Sequence, residues 1–109
     1  MKEDNERLFD IVSKIAFGQG LELGSASFYG FKEFQASWRM SDGKVILRVS
    51  DYLIDAPDEV IMDFSKTVIG TIKKKKPSYG KTYIDWVRSD EYINSKRKIY
   101  LRRSRNLTG

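Results

Sequence analysis

The chain of 109 residues contains no cysteine and no histidine. Without cysteine it can form no disulfide, no thiolate zinc site and no thiol nucleophile, so it needs no oxidising compartment and we expect a cytoplasmic protein. Without histidine it also lacks the commonest catalytic base and the imidazole ligands of hydrolytic zinc sites. We therefore expect no metal ion, no cofactor and no enzymatic activity.

Long apolar runs are absent as well. The first residues, Met1 to Leu8, lack the apolar stretch of a signal peptide and the acid-poor, basic character of a transit peptide. No later run approaches the length needed to cross a bilayer, so we expect no membrane partner. With 40% hydrophobic and 32% charged residues, the composition is typical of one globular domain with a solvated surface.

Positive charge is in excess, and it is unevenly placed. The formal net charge is +5. Residues 1–70 hold eight Lys or Arg and twelve Asp or Glu, whereas residues 71–109 hold twelve basic and three acidic side chains. The first part is therefore acidic, at −4, and the C-terminal part is basic, at +9. This asymmetry indicates an anionic partner for the C-terminal part.

Hydrophobic spacing predicts a helix followed by a strand-rich stretch. Apolar residues three and four positions apart favour a helix over residues 3–17, ended by glycines at 18 and 20. Residues 21–28 are moderately strand-like, and two alternating segments follow, separated by Asp42-Gly43, a pair favoured in tight type I′ turns. The expected buried face of these two arms comprises Phe34, Ala36, Trp38, Met40, Val45, Leu47 and Val49.

Helical patterns dominate the rest of the chain. Asp55 is a cap candidate, followed by a proline and further acids, and it marks the start of a helix that should run to about Lys74. Its apolar residues form one broad stripe, which predicts packing on the inner face of the hairpin. A third helix is predicted from near Ser78, and a short fourth helix capped near Ser89.

The predicted fold class is α+β. It comprises an N-terminal helix, a small antiparallel sheet of about three strands, and two or three following helices on one face. We expect a single domain over residues 1–95. Residues 96–109 contain few apolar anchors, so we expect a basic and loosely held segment there.

Carboxylates are the only candidates for acid–base or metal chemistry. Five lie close together in sequence: Asp51, Asp55, Asp58, Glu59 and Asp63. In principle such residues act as an acid–base pair or hold magnesium or calcium. Four of the five are explained as acids at a helix start, and calcium-loop spacing is absent, so we expect neither catalysis nor a metal site.

A run of four lysines carries two interpretations. The run comprises Lys73, Lys74, Lys75 and Lys76. These side chains can neutralise phosphates and so release condensed counterions. Cations at the C-terminus of a helix are also favoured by the helix dipole. Both interpretations stay open.

The segment over residues 96–105 is the clearest candidate for binding, with six basic and no acidic side chains. Arginine suits bidentate phosphate contact and tyrosine can stack on a base. The predicted phosphate contacts are Arg102, Arg103 and Arg105, then Lys96, Arg97 and Lys98, with Tyr100 as a stacking residue. The alternative is a solvated tail, or one paired with the acidic N-terminal part. Because no base-reading motif is present, binding would involve the nucleic-acid backbone and depend on salt.

Two groups of aromatic residues have structural explanations. Tyr79, Tyr83 and Trp86 follow helical spacing, which favours a core position over a stacking platform. Four further aromatic residues surround a glycine in a turn-like stretch: Phe28, Tyr29, Phe31 and Phe34. Anchoring of a loop is favoured for them over partner binding.

One segment resembles a known family. A leading helix and a hairpin with Trp38 and an Ile/Val-rich second arm are followed by Val49-Ser-Asp-Tyr-Leu-Ile-Asp-Ala-Pro-Asp-Glu-Val60, which opens the long helix. This order is similar to the first part of SprT-like zinc metallopeptidase domains and their archaeal relatives. The resemblance covers roughly residues 5–75. It implies a His-Glu-x-x-His helix, but this helix reads Met62-Asp-Phe-Ser-Lys-Thr-Val-Ile-Gly70. The resemblance therefore implies a metal-free, non-peptidase member, or an isolated module, whose scaffold is kept for binding.

These observations lead to two functional hypotheses. The first is a non-enzymatic module that contacts the backbone of DNA or RNA through residues 73–105. The alternative is a protein-interaction or structural module, in which the acidic part of one molecule meets the basic end of another.

Overall fold

Four helices and a three-stranded sheet make up the part of the chain that the computed structural model describes, residues 2–31 and 35–108, with side chains for residues 3–31 and 35–103. The helices are α1 (Lys2–Gly18), α2 (Asp58–Ile72), α3 (Lys81–Val87) and α4 (Asp90–Thr108), and the strands are β1 (Leu23–Tyr29), β2 (Ala36–Ser41) and β3 (Lys44–Ser50). A short 3-10 turn, Asp51–Leu53, follows β3. The predicted α+β class is confirmed.

The sheet is mixed rather than antiparallel throughout. Its strand order is β1-β3-β2, with β3 in the centre. The predicted hairpin is confirmed: β2 and β3 are antiparallel, and Asp42 and Gly43 both have positive φ, at 52° and 78°. Strand β2 lies at the far edge from β1, and β3, which follows it through the hairpin, pairs with β1 in parallel.

The core lies on one face of this sheet. Val45, Leu47 and Val49 of β3 are buried there, as their alternation predicts. Helices α1 and α2 cover them with residues that recur at helical spacing: Leu8, Val12, Ala16, Val60, Ile61, Phe64, Val68 and Ile69. Tyr83 and Trp86 of α3 complete the cluster, which confirms the core position predicted for these two residues.

Strand β2 departs from the expected burial. Trp38 is 42% and Met40 47% exposed, although both were expected on the buried face. They face the same side of the sheet as Leu47 and Val45, their partners across the hairpin. Helix α1 packs closely against β1, whereas no described helix packs as closely against β2, which leaves Trp38 and Met40 partly exposed. Phe34 lies outside the described residues.

Several helix boundaries also differ from those predicted. Helix α2 begins at Asp58 and ends at Ile72, before the lysines. Asp55 does not cap it, because its carboxylate accepts a hydrogen bond from the Ser95 hydroxyl at 2.9 Å. Helix α3 begins at Lys81, so Tyr79 precedes the helix and is 44% exposed instead of lying in the core.

Helix α4 is longer than the short helix predicted. The Ser89 hydroxyl accepts a hydrogen bond from the Tyr92 amide at 3.2 Å, as expected of a cap. The helix then continues for 19 residues, through the boundary expected at residue 96. Ser95 and Ile99 are buried and Arg103 is half-buried, so one face of the helix is attached to the domain up to that point. Because Ser95 and Arg103 are polar, the spacing of apolar residues in the sequence does not indicate this face.

Among the described residues, no helix has both the length and the hydrophobicity required to cross a membrane.

Candidate nucleic-acid interface

The outer side of α4 presents three of the predicted basic residues. Arg97, Lys98 and Arg102 are exposed, whereas Ser95 and Ile99 are buried and attach the helix to the domain. Within the described part of the chain, no ion pair joins any of the three to an acidic side chain. We call Arg97, Lys98 and Arg102 the α4 cluster.

Two further predicted residues extend this surface. Tyr100 is 60% exposed and lies one turn after Arg97, so its ring is accessible for stacking. Lys96 is exposed, but its ammonium lies 5.4 Å from the ring centroid of Tyr52 and 5.9 Å from that of Tyr92, which gives it an intramolecular cation–π contact. The side chain of Arg105 lies outside the described ones.

Arg103 does not belong to this surface, although the sequence predicts it as a main phosphate contact. Its guanidinium forms an ion pair with Asp51 and donates hydrogen bonds to the carbonyl of Phe31, at 2.8 Å, and to the hydroxyl of Tyr52, at 3.2 Å. It also lies 4.5 Å from the Tyr52 ring centroid. These partners hold the guanidinium inside the domain, so Arg103 joins α4 to the end of the sheet.

The four lysines after α2 are all exposed. The amide of Lys73 donates to the carbonyl of Ile69 at the end of the helix. The Lys75 ammonium donates to the side-chain oxygen of Gln19 at 2.7 Å. The cations therefore lie beside the negative end of the α2 dipole and also remain accessible, so the two interpretations of the run are compatible. We call Lys73–Lys76 the lysine cluster.

The two clusters lie at opposite ends of the sheet. Gln19, which bonds the lysine cluster, precedes the start of β1, whereas Arg103 on α4 contacts Gly30 and Phe31 just after the end of β1. Seven residues of extended strand separate these points, or roughly 20 Å at about 3.3 Å per residue. The basic residues therefore do not form one continuous patch.

A groove lies between β2, α2 and the segment that leads into α3. Its volume is about 360 Å³. Aromatic and apolar side chains provide most of its lining, including Trp38, Phe64, Val68, Pro77, Tyr79 and Tyr83. We call it the aromatic groove. Sequence reasoning missed it because the spacing of these residues predicts burial, whereas the sparse helix cover of β2 and the start of α3 after Tyr79 leave Trp38 and Tyr79 partly exposed.

The acidic residues considered for catalysis have separate structural partners. Asp51 pairs with Arg103, Asp55 accepts from Ser95, and Asp63 accepts from the Tyr83 amide at 3.0 Å. In the described part of the chain, no three acidic side chains converge as a metal site would require.

Comparisons with protein-family models, with characterised proteins and with solved structures give no match for this chain. The resemblance to SprT-like domains therefore stays a prediction that depends on the order of a leading helix, a hairpin with Trp38 and the segment from Val49 to Val60.

Proposed function

We propose that this chain is a non-enzymatic domain that binds the backbone of nucleic acids through its basic C-terminal part. The observation that carries the proposal is the α4 cluster: Arg97, Lys98 and Arg102 are exposed on one helix, and no acidic side chain of the described residues neutralises them. Kinship with SprT-like domains as a metal-free member, and a cytoplasmic location, belong to the same proposal.

The chemistry of the α4 cluster suits phosphates better than it suits bases. Guanidinium groups form bidentate hydrogen bonds with phosphate oxygens, and each phosphate neutralised releases condensed counterions. Binding of this kind is indifferent to sequence and weakens steeply with salt. The lysine cluster supplies a second contact at the other end of the sheet.

Fluorescence anisotropy with labelled 20-nucleotide DNA and RNA tests the proposal, at low salt and again at higher salt. We expect binding that weakens at higher salt, and a loss of affinity of at least tenfold in the triple variant Arg97→Gln/Lys98→Gln/Arg102→Gln. A matched control, Lys14→Gln/Lys44→Gln/Lys66→Gln, removes the same charge from exposed positions in the acidic part of the chain. Absence of salt-sensitive binding, or equal losses in both triple variants, would contradict the proposal.

Self-association is a second candidate function. It is favoured by three exposed acids on α1, Glu3, Glu6 and Asp10, which complement the α4 cluster in charge. Sedimentation velocity at two ionic strengths, without nucleic acid, separates the two functions. A dimer that dissociates in salt supports this candidate, whereas a monomer at both ionic strengths excludes it.

A further inference from the structure

The backbone of β2 offers unpaired hydrogen-bonding groups beside the aromatic groove. In an antiparallel hairpin, alternate residues pair with the neighbouring strand and those between them point away. The Ser50 amide donates to the carbonyl of Gln35 at 2.9 Å, which fixes the alternation. The N–H and C=O groups of Ala36, Trp38 and Met40 therefore point away from β3, at the open edge of the described sheet.

The rings of the groove present flat apolar surfaces to solvent. Trp38 and Tyr79 are both partly exposed. Behind Tyr79 the rings of Tyr83 and Phe64 are stacked, with centroids 4.8 Å apart for Tyr79 and Tyr83 and 5.3 Å apart for Tyr83 and Phe64. A nucleobase combines a flat apolar face with hydrogen-bonding edges, and these match the rings and the free groups of β2.

The lysine cluster lies next to the groove in sequence. At one end the groove is lined by Thr71 and Pro77, the residues that flank the lysine cluster in sequence. Gln35 also lines the groove, and its carbonyl accepts a hydrogen bond from the Ser50 amide. The next residue, Asp51, forms the ion pair with Arg103 of α4. Among the described residues, no acidic side chain lines the groove. An extended peptide could use the same free edge of β2, but the four exposed lysines that precede Pro77 favour a polyanion.

From this arrangement we infer that the aromatic groove is a binding site for single-stranded nucleic acid, whose bases stack on Trp38 and Tyr79 while its phosphates contact the lysine cluster. The inference rests on the proposed function and adds to it a preference for single strands over duplexes. A duplex keeps its bases inside the stack and cannot offer them to the groove without unpairing. Single strands should therefore bind more tightly than a duplex of the same length.

Tryptophan emission provides a direct test, because the chain has two tryptophans and they differ in exposure. Trp38 lines the groove, whereas Trp86 is buried. The probes are the 12-nucleotide strands dT12 and rU12, with a 12-base-pair duplex for comparison. We expect the single strands to quench the emission of the wild type but not that of Trp38→Phe, which retains only the buried tryptophan.

Ring removal provides the second readout. Trp38→Ala and Tyr79→Ala should each weaken the binding of dT12 by about 5- to 150-fold and leave duplex binding unchanged. Tyr29→Ala is the matched control, since Tyr29 is an equally exposed ring on β1, outside the groove. Circular dichroism verifies that each variant is folded.

The outcomes separate this inference from the proposed function. If dT12 binds in a salt-sensitive manner but leaves Trp38 emission unchanged, and both ring variants bind like the wild type, the inference is overturned and the proposed function stands. If neither single strands nor duplex bind, both fail. A ten-residue peptide of alternating Glu and Val serves as a further probe. If it quenches Trp38 and dT12 does not, the groove is a peptide site and the inference is overturned.

Discussion

The adjacent arginines Arg102 and Arg103 should respond to replacement in opposite ways. Arg103 is held by Asp51, Tyr52 and the carbonyl of Phe31, whereas Arg102 is exposed. We expect Arg103→Ala to lower the free energy of unfolding. Arg102→Ala should leave stability within about 0.5 kcal/mol of the wild type and weaken nucleic-acid binding.

The magnitude for Arg103 follows from the burial of its ion pair. The side chains of Arg103 and Asp51 are 24% and 12% exposed. Removing one partner of a buried pair costs about 3 to 5 kcal/mol, because the other charge is left without compensation. Partial exposure of the arginine allows water to reach the carboxylate, so we expect a loss of about 3 kcal/mol. The double variant Asp51→Ala/Arg103→Ala should lose less than the sum of the two single variants, since no isolated charge remains.

Urea unfolding followed by circular dichroism measures these differences, provided that all variants unfold with the same denaturant slope. Anisotropy with a labelled oligonucleotide measures binding by the same set. The reasoning is refuted if Arg103→Ala costs less than about 1 kcal/mol and weakens binding as much as Arg102→Ala does, because Arg103 would then be a phosphate contact as its sequence context suggests.

Three further predictions concern stability. Ser89→Ala removes the acceptor for the Tyr92 amide and should lower the free energy of unfolding by about 1 kcal/mol, as measured with urea. An unchanged free energy would show that the cap does not stabilise the helix. Gly80→Ala places a methyl group against the carboxylate of Asp63 and should cost about 1 to 3 kcal/mol, whereas an unchanged midpoint would show that the carboxylate moves freely. Burial raises the pKa of Tyr83, with two neighbouring tyrosines adding to the shift, so its hydroxyl stays protonated in the folded state at pH values where the unfolded chain ionises. Above pH 10.0 the tyrosine ionises in the unfolded chain but not in the folded one, so the free energy of unfolding should fall by up to about 1.4 kcal/mol per pH unit for this group. The fall should be less steep in Tyr83→Phe, and equal slopes in the two proteins would contradict the prediction.

Features set by local chemistry could be predicted from the sequence. The hairpin follows from Asp42-Gly43, whose two residues adopt the positive φ that the turn requires. The core stripe of α2 and the cap at Ser89 follow from spacing and hydrogen-bonding capacity within a few residues. The separation of an acidic part from a basic part is a property of composition alone.

Features set by distant contacts could not be predicted. The parallel pairing of β1 with β3 joins strands that the sequence pattern leaves unconnected. The alternation of apolar and polar residues around Trp38 is the same whether or not a helix covers the strand, so this pattern cannot predict the groove. Arg103 differs from Arg102 through its contacts with Phe31, Asp51 and Tyr52, which lie 51 to 72 residues away in the chain. The basic residues of the candidate interface could therefore be proposed from charge alone, but the different environments of Arg102 and Arg103 are apparent only in the fold.

The salt dependence of binding tests the central proposal most directly. The measurement is the slope of the logarithm of the dT12 association constant against the logarithm of salt concentration, for the wild type and for the triple variant of Arg97, Lys98 and Arg102. Each phosphate contact on a single strand contributes about −0.7 to this slope. Three lost contacts should make the slope of the variant less negative by about 2, and identical slopes would contradict the assignment of α4 as the phosphate-binding surface.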